Sequence, residues 1–184
     1  RFRAWFLDLA RSAAPELAGP DQRTWLDRLE LEHDNLRAAI DRAAADGDGE
    51  TAIGLVFALW RFWQQRGYLN EARTRLDRMD AMSWSLAPTD RGRFYEALGS
   101  VAYWQADHPG TTRAYDLALA AWREVGDKRE IANALYNRAY ADILPELVKS
   151  ATHPPDTIKA AERCDEALAL FREVGDKVGE ANIL

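Results

Sequence analysis

The chain has 184 residues, 47% of them apolar and 29% charged, enough for one domain with a real core or for a short array of repeats. Thirty acidic against twenty-four basic residues leave a net charge of −6, which argues against a dedicated nucleic-acid or anionic-membrane surface, since both need a basic excess. Cys164 is the single cysteine, so an internal disulfide and a cysteine-based zinc site are excluded and a reducing cytosol is suited.

In chain order the patterns are helical. Phe2, Trp5, Phe6 and Leu9 follow i, i+3, i+4, i+7 spacing on one helix face that Pro15 closes. Trp25, Leu29, Leu36, Ile40 and Ala43 form a second apolar stripe, with a break at His33-Asp34-Asn35 for which Asp34 is the expected cap. Asp46-Gly47-Asp48-Gly49 ends that stripe, because glycine takes the left-handed conformation that terminates helices. Thr51 to Gln65 is apolar on most sides, as a helix packed between neighbours would be. The longest apolar run, Ala52 to Trp60, is nine residues, about half of the ~18–20 that span a bilayer. Gly67 stops this helix, and Asn70 is expected to cap the next, which runs to about Met82. Further helices are expected over Asp90–Ala106, Gly110–Val125, Lys128–Leu144 and Thr157–Val174. Pro145 to Pro155 reads as a longer loop, or one turn of helix followed by a loop. The fold class is all-α.

Within this pattern lies an internal repeat. Ala118 to Leu135 aligns with Ala167 to Leu184 at an offset of 49, with twelve of eighteen positions identical, among them Arg-Glu-Val-Gly-Asp-Lys. A weaker copy lies 39 residues earlier: Gly67 to Ala72 and Leu76 align with Ala106 to Thr111 and Tyr115. In each strong copy a buried stripe such as Ala118, Leu119 and Trp122 ends at a glycine. Asp127 then caps the next helix, with Glu130 three residues on to complete a capping box. Such antiparallel pairs cannot bury their apolar faces alone, so the expected architecture is an α-α superhelix of stacked pairs. Residues 1–50 form a leading helical segment. Repeats occupy about 51–88, 89–126 and 127–175, with an insertion near 145–156 and the start of a further repeat at 176–184.

These residues resemble the tetratricopeptide (TPR) family. Leu98-Gly99, Asp107, Tyr115, Ala118 and Leu119 fall where that motif places its packing residues, as do Gly67, Ala72 and Leu76 before them and Ala160 and Ala167 after. Thr111 stands where a small alanine is usual. A closer resemblance rests on Trp25 to Ile40, Trp60-Arg-Phe-Trp63 and Gly67-Tyr-Leu-Asn-Glu71. It is similar to the start of the helical-repeat region in bacterial LuxR-type, STAND-class ATP-binding transcriptional regulators and in class III adenylate or guanylate cyclases with TPR tails. The resemblance implies a cytoplasmic sensor or partner-docking arm of a larger signalling protein. The chain opens on Arg1 and stops inside a helical pattern at Asn182-Ile183-Leu184, and is expected to be a piece of such a protein.

Motifs of catalysis are missing from the sequence. It contains no Gly-x-x-x-x-Gly-Lys-Ser/Thr phosphate loop, His-Glu-x-x-His helix or Gly-x-Ser-x-Gly elbow. No enzyme activity, cofactor or metal is therefore expected of this chain itself. Asp46-Gly-Asp48-Gly-Glu50 opens like a calcium loop but carries Thr51 and Phe57 at the turn-glycine and bidentate-glutamate positions. Glu30, His33 and Asp34 have a helical spacing that could share a metal, and capping explains them better. His108 and His153 are expected in loops, and Cys164 at a packing position. Seven arginines (61, 66, 73, 75, 78, 91, 93) against four acids, interleaved with Trp60, Trp63 and Trp84, read mainly as a solvated face around a core. Acidic protein segments are the alternative ligand for them. Seven tryptophans, each burying roughly 150–250 Å², suit helix–helix packing. In TPR geometry Arg93, Glu96, Ser100, Tyr103 and Trp104, with Asn133, Tyr136 and Tyr140 of the next repeat, face the concave side. That face is the expected site for a protein or peptide, including other domains of the parent chain, with no direct nucleic acid and no membrane. A small effector held in the aromatic groove is the alternative. Self-association is expected through the uncovered C-terminal end.

Overall fold

In the computed structural model, which describes residues 1–82, 84–147 and 157–184, ten α-helices and one 3₁₀ turn follow one another, with no strand among the described residues. The helices are α1 (Phe2–Ala13), α2 (Gln22–Leu31), α3 (His33–Ala45), α4 (Gly49–Arg66), α5 (Leu69–Asp80), α6 (Pro88–Trp104), α7 (His108–Val125), α8 (Lys128–Leu147), α9 (Thr157–Val174) and α10 (Lys177–Ile183). The 3₁₀ turn, Ala14–Ala18, follows α1 and takes Pro15 in its first turn. Among the described residues no helix is long and apolar enough to cross a membrane.

Punctuation sets these boundaries. Gly126 and Gly175 sit at φ +80° and +71°, the left-handed conformation that closes a helix and that a Cβ disfavours. The aspartate that follows caps the next helix in both repeats. Asp127 Oδ1 accepts from the amides of Arg129 at 3.0 Å and Glu130 at 3.2 Å. Asp176 accepts from the Gly179 amide at 3.0 Å. The carboxylate of Glu130 takes the Asn133 amide at 3.2 Å, so that residue supplies the backbone half of the expected box. Asp107 caps α7 through the Gly110 amide at 3.0 Å, and here the left-handed residue is Ala106, at φ +58°.

Several expectations shift. Asp34 lies inside the first turn of α3 and pairs with Arg37 at 2.8 Å, while Glu32 takes the cap position. Asn70 lies one residue inside α5, whose cap position is Tyr68 and makes no side-chain capping bond. His108 opens α7 instead of lying in a loop. Helix α8 continues through Pro145 to Leu147, beyond the expected end at Leu144. The rest of the 145–156 insertion, His153 included, lies outside the described residues apart from that helical end. Trp84 falls outside the helices altogether.

Two compact units divide the chain, Arg1–Ala97 and Leu98–Leu184. In the first, α1 packs on α3 and α4, which brings the leading 50 residues into one core with the helices that follow. That core holds Leu17, Leu29, Leu36, Ile40, Ile53, Leu59, Phe62 and Trp63. Phe6, Leu9 and Ala10 form the buried face of α1, whereas Phe2 and Trp5 are exposed, their rings 4.8 and 4.6 Å from that of Phe6. In the second unit α8 lies against α7 and α9. Leu119, Trp122, Leu135, Ala167 and Phe171 form its core, so Trp122 and its repeat mate Phe171 do the same job. Gly99 makes room for the buried Tyr115 ring: a Cβ there would stand 2.5 Å from it. Of the seven tryptophans only Trp63 and Trp122 are buried; Trp25, Trp60 and Trp84 are half-buried, and Trp5 and Trp104 are exposed.

Candidate functional site

The second unit gathers four aromatic side chains from the concave-face set. Tyr103 and Trp104 end α6, and Tyr136 and Tyr140, one turn apart on α8, stand opposite. Tyr103 meets Trp104 edge-to-face at 5.9 Å between ring centres and Tyr140 at 6.1 Å; Tyr136 and Tyr140 meet at 5.1 Å. The two α8 hydroxyls are 3.0 Å apart, and Tyr136 donates to the Asn182 carbonyl at 3.1 Å, which leaves the Tyr140 hydroxyl to donate to Tyr136. Burial, with the neighbouring Tyr140 hydroxyl, pushes the Tyr136 phenol well above its usual range, and the same two causes raise Tyr103. The Tyr103 and Tyr136 hydroxyls are therefore protonated donors at neutral pH. Trp104 is 52% exposed and Tyr140 38%: an open aromatic surface with a hydroxyl at its edge.

The other expected site residues are placed differently. Ser100 is 6% exposed and its hydroxyl lies 3.3 Å from that of Tyr115. Glu96 is equally buried. Both are out of reach of a docking partner; helical spacing assigned them to a face, and that stretch of the face is covered. Asn133 is half-buried and spends its amide on Glu130. Arg93 belongs to the first unit, where its Nη1 lies 3.7 Å from Asp90. Sequence reasoning missed Asn182, whose backbone carbonyl anchors Tyr136, since a carbonyl carries no residue signature.

The weighed alternatives also find places. His33 is buried between Phe62 and Tyr68, ring centres at 5.2 and 4.4 Å, with Nε2 3.5 Å from Glu71 Oε1. Glu30 accepts from the Tyr68 hydroxyl and Asp34 is paired with Arg37, so these two carboxylates are engaged apart from His33. Burial lowers the His33 pKa against the opposing pull of Glu71. Burial also pushes the Glu71 carboxyl up, but the hydrogen bond from Arg37 and the charges of His33 and Arg37 outweigh it, and the group titrates below the usual carboxylate range. Of the would-be calcium loop, Asp46 pairs with Arg3 at 2.8 Å and Asp48 caps α4. Cys164 is half-buried, and burial raises its thiol. Among the described residues no group of three His, Cys, Asp or Glu side chains is placed to hold a metal. In the arginine-rich stretch, Arg66 pairs with Asp27, Arg73 with Asp77, and Arg75 with Asp41 and Glu71, as a solvated face would. No family model and no curated protein matches the chain.

Proposed function

We propose that the chain is a non-catalytic interaction module built of TPR-like repeats, antiparallel helix pairs in a superhelix. In this reading it is the sensor or docking arm of a multidomain bacterial signalling or transcriptional regulator, of the LuxR-type/STAND or cyclase-linked kind. Its partner is a protein or peptide segment, bound at Tyr103, Trp104, Tyr136 and Tyr140. The observation that carries this is the exposure of Trp104 beside Tyr140. Large aromatic groups left in water next to a satisfied hydroxyl network are what binding hot spots are made of. The repeated turn at Gly126-Asp127 and Gly175-Asp176 supports the repeat assignment.

Peptides selected from a random library on the wild-type chain test it. They are expected to lose at least about tenfold in affinity for W104A and for Y140A, the cost of one hot-spot residue. Selected peptides that bind both variants as tightly as wild type would remove the docking assignment. Self-association belongs to the same proposal, because Val178 on α10 is exposed. A sedimentation coefficient that stays constant with rising concentration would dismiss it.

A further inference from the structure

The first unit holds a second and chemically different cleft, of about 350 Å³, on its own helices. Arg11 of α1, Phe57, Trp60 and Arg61 of α4 and Arg93 of α6 line it. Gly54 gives it depth: a Cβ there would lie 2.9 Å from the Leu7 side chain and 3.5 Å from Arg11 Nη2, so the missing side chain lets that guanidinium approach the α4 backbone.

Charge is unbalanced in this cleft. The Arg61 guanidinium is half-buried and lies 4.7 Å from the Trp60 ring centre. Among the described residues no carboxylate pairs with it, and burial alone lowers its pKa. Arg93 has Asp90 at 3.7 Å. Burial and Glu50 raise the Asp90 carboxyl against the pull of Arg93 and Arg11. Three guanidiniums thus face two carboxylates, Asp90 and the nearby Glu50, and of the three only Arg93 has one within ion-pair distance among the described residues. A cation withdrawn from water without a counter-ion is costly unless something anionic meets it. Guanidinium forks match planar carboxylates and phosphates in two-pronged bonds, and Phe57 and Trp60 offer a ring-binding wall next to them. At this volume the cleft falls in the range of small-molecule sites, ~300–1,000 Å³.

We propose that this cleft binds a small organic anion, one carboxylate or phosphate carried on a planar ring, with the anion on Arg11, Arg61 and Arg93 and the ring against Phe57 and Trp60. The site is independent of the aromatic surface of the second unit.

Ligand-observed NMR titrations of the full chain with phenyl phosphate, benzoate, inorganic phosphate and benzyl alcohol test it. Phenyl phosphate or benzoate is expected to bind, and which of the two binds tighter identifies the anionic group. Inorganic phosphate and benzyl alcohol should each be at least about tenfold weaker, since each keeps only half of the recognition. R61Q should lose about tenfold in affinity for the ring anion while melting close to wild type, because the guanidinium it removes has no paired carboxylate to lose and gives up only its contact with the Trp60 ring. R11Q, on the exposed rim, should weaken binding in the same direction and gives the answer if R61Q fails to fold. Failure of both ring anions to bind overturns the proposal, as does binding undiminished in whichever of these variants folds. Inorganic phosphate binding as tightly as phenyl phosphate overturns it too. Displacement of the ring anion by hexaglutamate at lower concentration would do the same, in favour of an acidic peptide.

Discussion

Asp142 is the most exposed point of the second unit's energetics, although it is almost entirely hidden from solvent. Its two oxygens take separate guanidiniums: Oδ1 faces Arg138 of the same helix, and Oδ2 faces Arg163 of α9. Asp142 and Arg138 are each 8% exposed. Arg138 also donates through Nε to Asp116 of α7 at 2.6 Å, so the chain of charges runs Asp116–Arg138–Asp142–Arg163 and ties α7, α8 and α9 together. Replacing Asp142 by asparagine keeps the shape, removes the charge and turns an amide NH₂ against one guanidinium. Breaking a buried pair by removing one partner costs about 3–5 kcal/mol. Arg138 keeps Asp116, which is half-exposed and screened, so D142N is expected near the lower end, about 3 kcal/mol. R163Q leaves Arg138 and Asp142 joined and should cost less, about 1–2 kcal/mol. Because both substitutions break the same contact, the double variant should fall short of their sum by about 1 kcal/mol. Urea unfolding followed by far-UV circular dichroism measures all three. A D142N midpoint equal to wild type, or strictly additive losses, would show that the carboxylate does not hold the arginines.

Three further outcomes are expected. Ala106 occupies the left-handed conformation, at φ +58°, that costs a non-glycine residue roughly 1–2 kcal/mol; A106G should raise stability by ~0.5 kcal/mol after the greater freedom of the unfolded glycine is subtracted, and a lower urea midpoint would refute this. A Cβ at Gly99 would meet the Tyr115 ring at 2.5 Å, so G99A should cost about 1–3 kcal/mol and disturb the near-UV dichroism, whereas an unchanged midpoint would mean that the ring moves freely. For His33, burial outweighs the carboxylates of Glu71, Glu30 and Asp34 and, with Arg37 adding to it, favours the neutral ring. Its contribution is then complete above the unfolded value of about 6.5 and is lost as pH falls through the lowered folded value. H33Q should flatten that part of the stability profile between about pH 7 and pH 5; a wild-type slope retained in the variant would assign it to other groups.

How far the sequence could be read depended on whether the signal was local. Thr157–Val174 is a helix over the span its periodicity gives, because its stripe and its terminating glycine lie within a few turns of each other. The Gly126-Asp127 and Gly175-Asp176 turns were equally plain, since glycine takes the left-handed conformation most readily and aspartate is among the few strong N-caps. Caps chosen by residue type alone did less well: Asn70 and Asp34 are good capping residues, but α5 and α3 start two residues earlier than a cap at either position would allow. For the proposed docking surface, spacing brought Tyr103, Trp104, Tyr136 and Tyr140 to one place and carried Ser100 and Glu96 along with them. Period 3.6 names a face and does not say how far a neighbouring helix covers it. Of the arginine cleft the sequence showed only a part, since Arg61, Arg93 and Trp60 stand in the arginine-rich stretch whereas Arg11 and Gly54 carried no signal. Arg11, Arg61 and Arg93 come from three helices, and Gly54 matters only through the distance to Leu7 and Arg11.

The repeats themselves separate what the fold needs from what it leaves free. Trp122 and Phe171 occupy one register and are both buried, so a large ring at that register is a packing requirement. Trp104 has a register mate too: at the offset of 39 it corresponds to Gln65. Gln65 turns inward and donates its Nε2 to the Leu17 carbonyl at 3.0 Å, whereas Trp104 stands half in water. One position in the helix pair therefore accepts a glutamine that stitches its unit together or an indole that stitches little. Exposed indole contributes little to folding, so at a position where the repeat accepts glutamine the core places no demand for it, and the docking proposed above is what would give it a use. That is also why W104A is a fair test of docking: the substitution removes the surface and leaves the packed register of Trp122 and Phe171 intact.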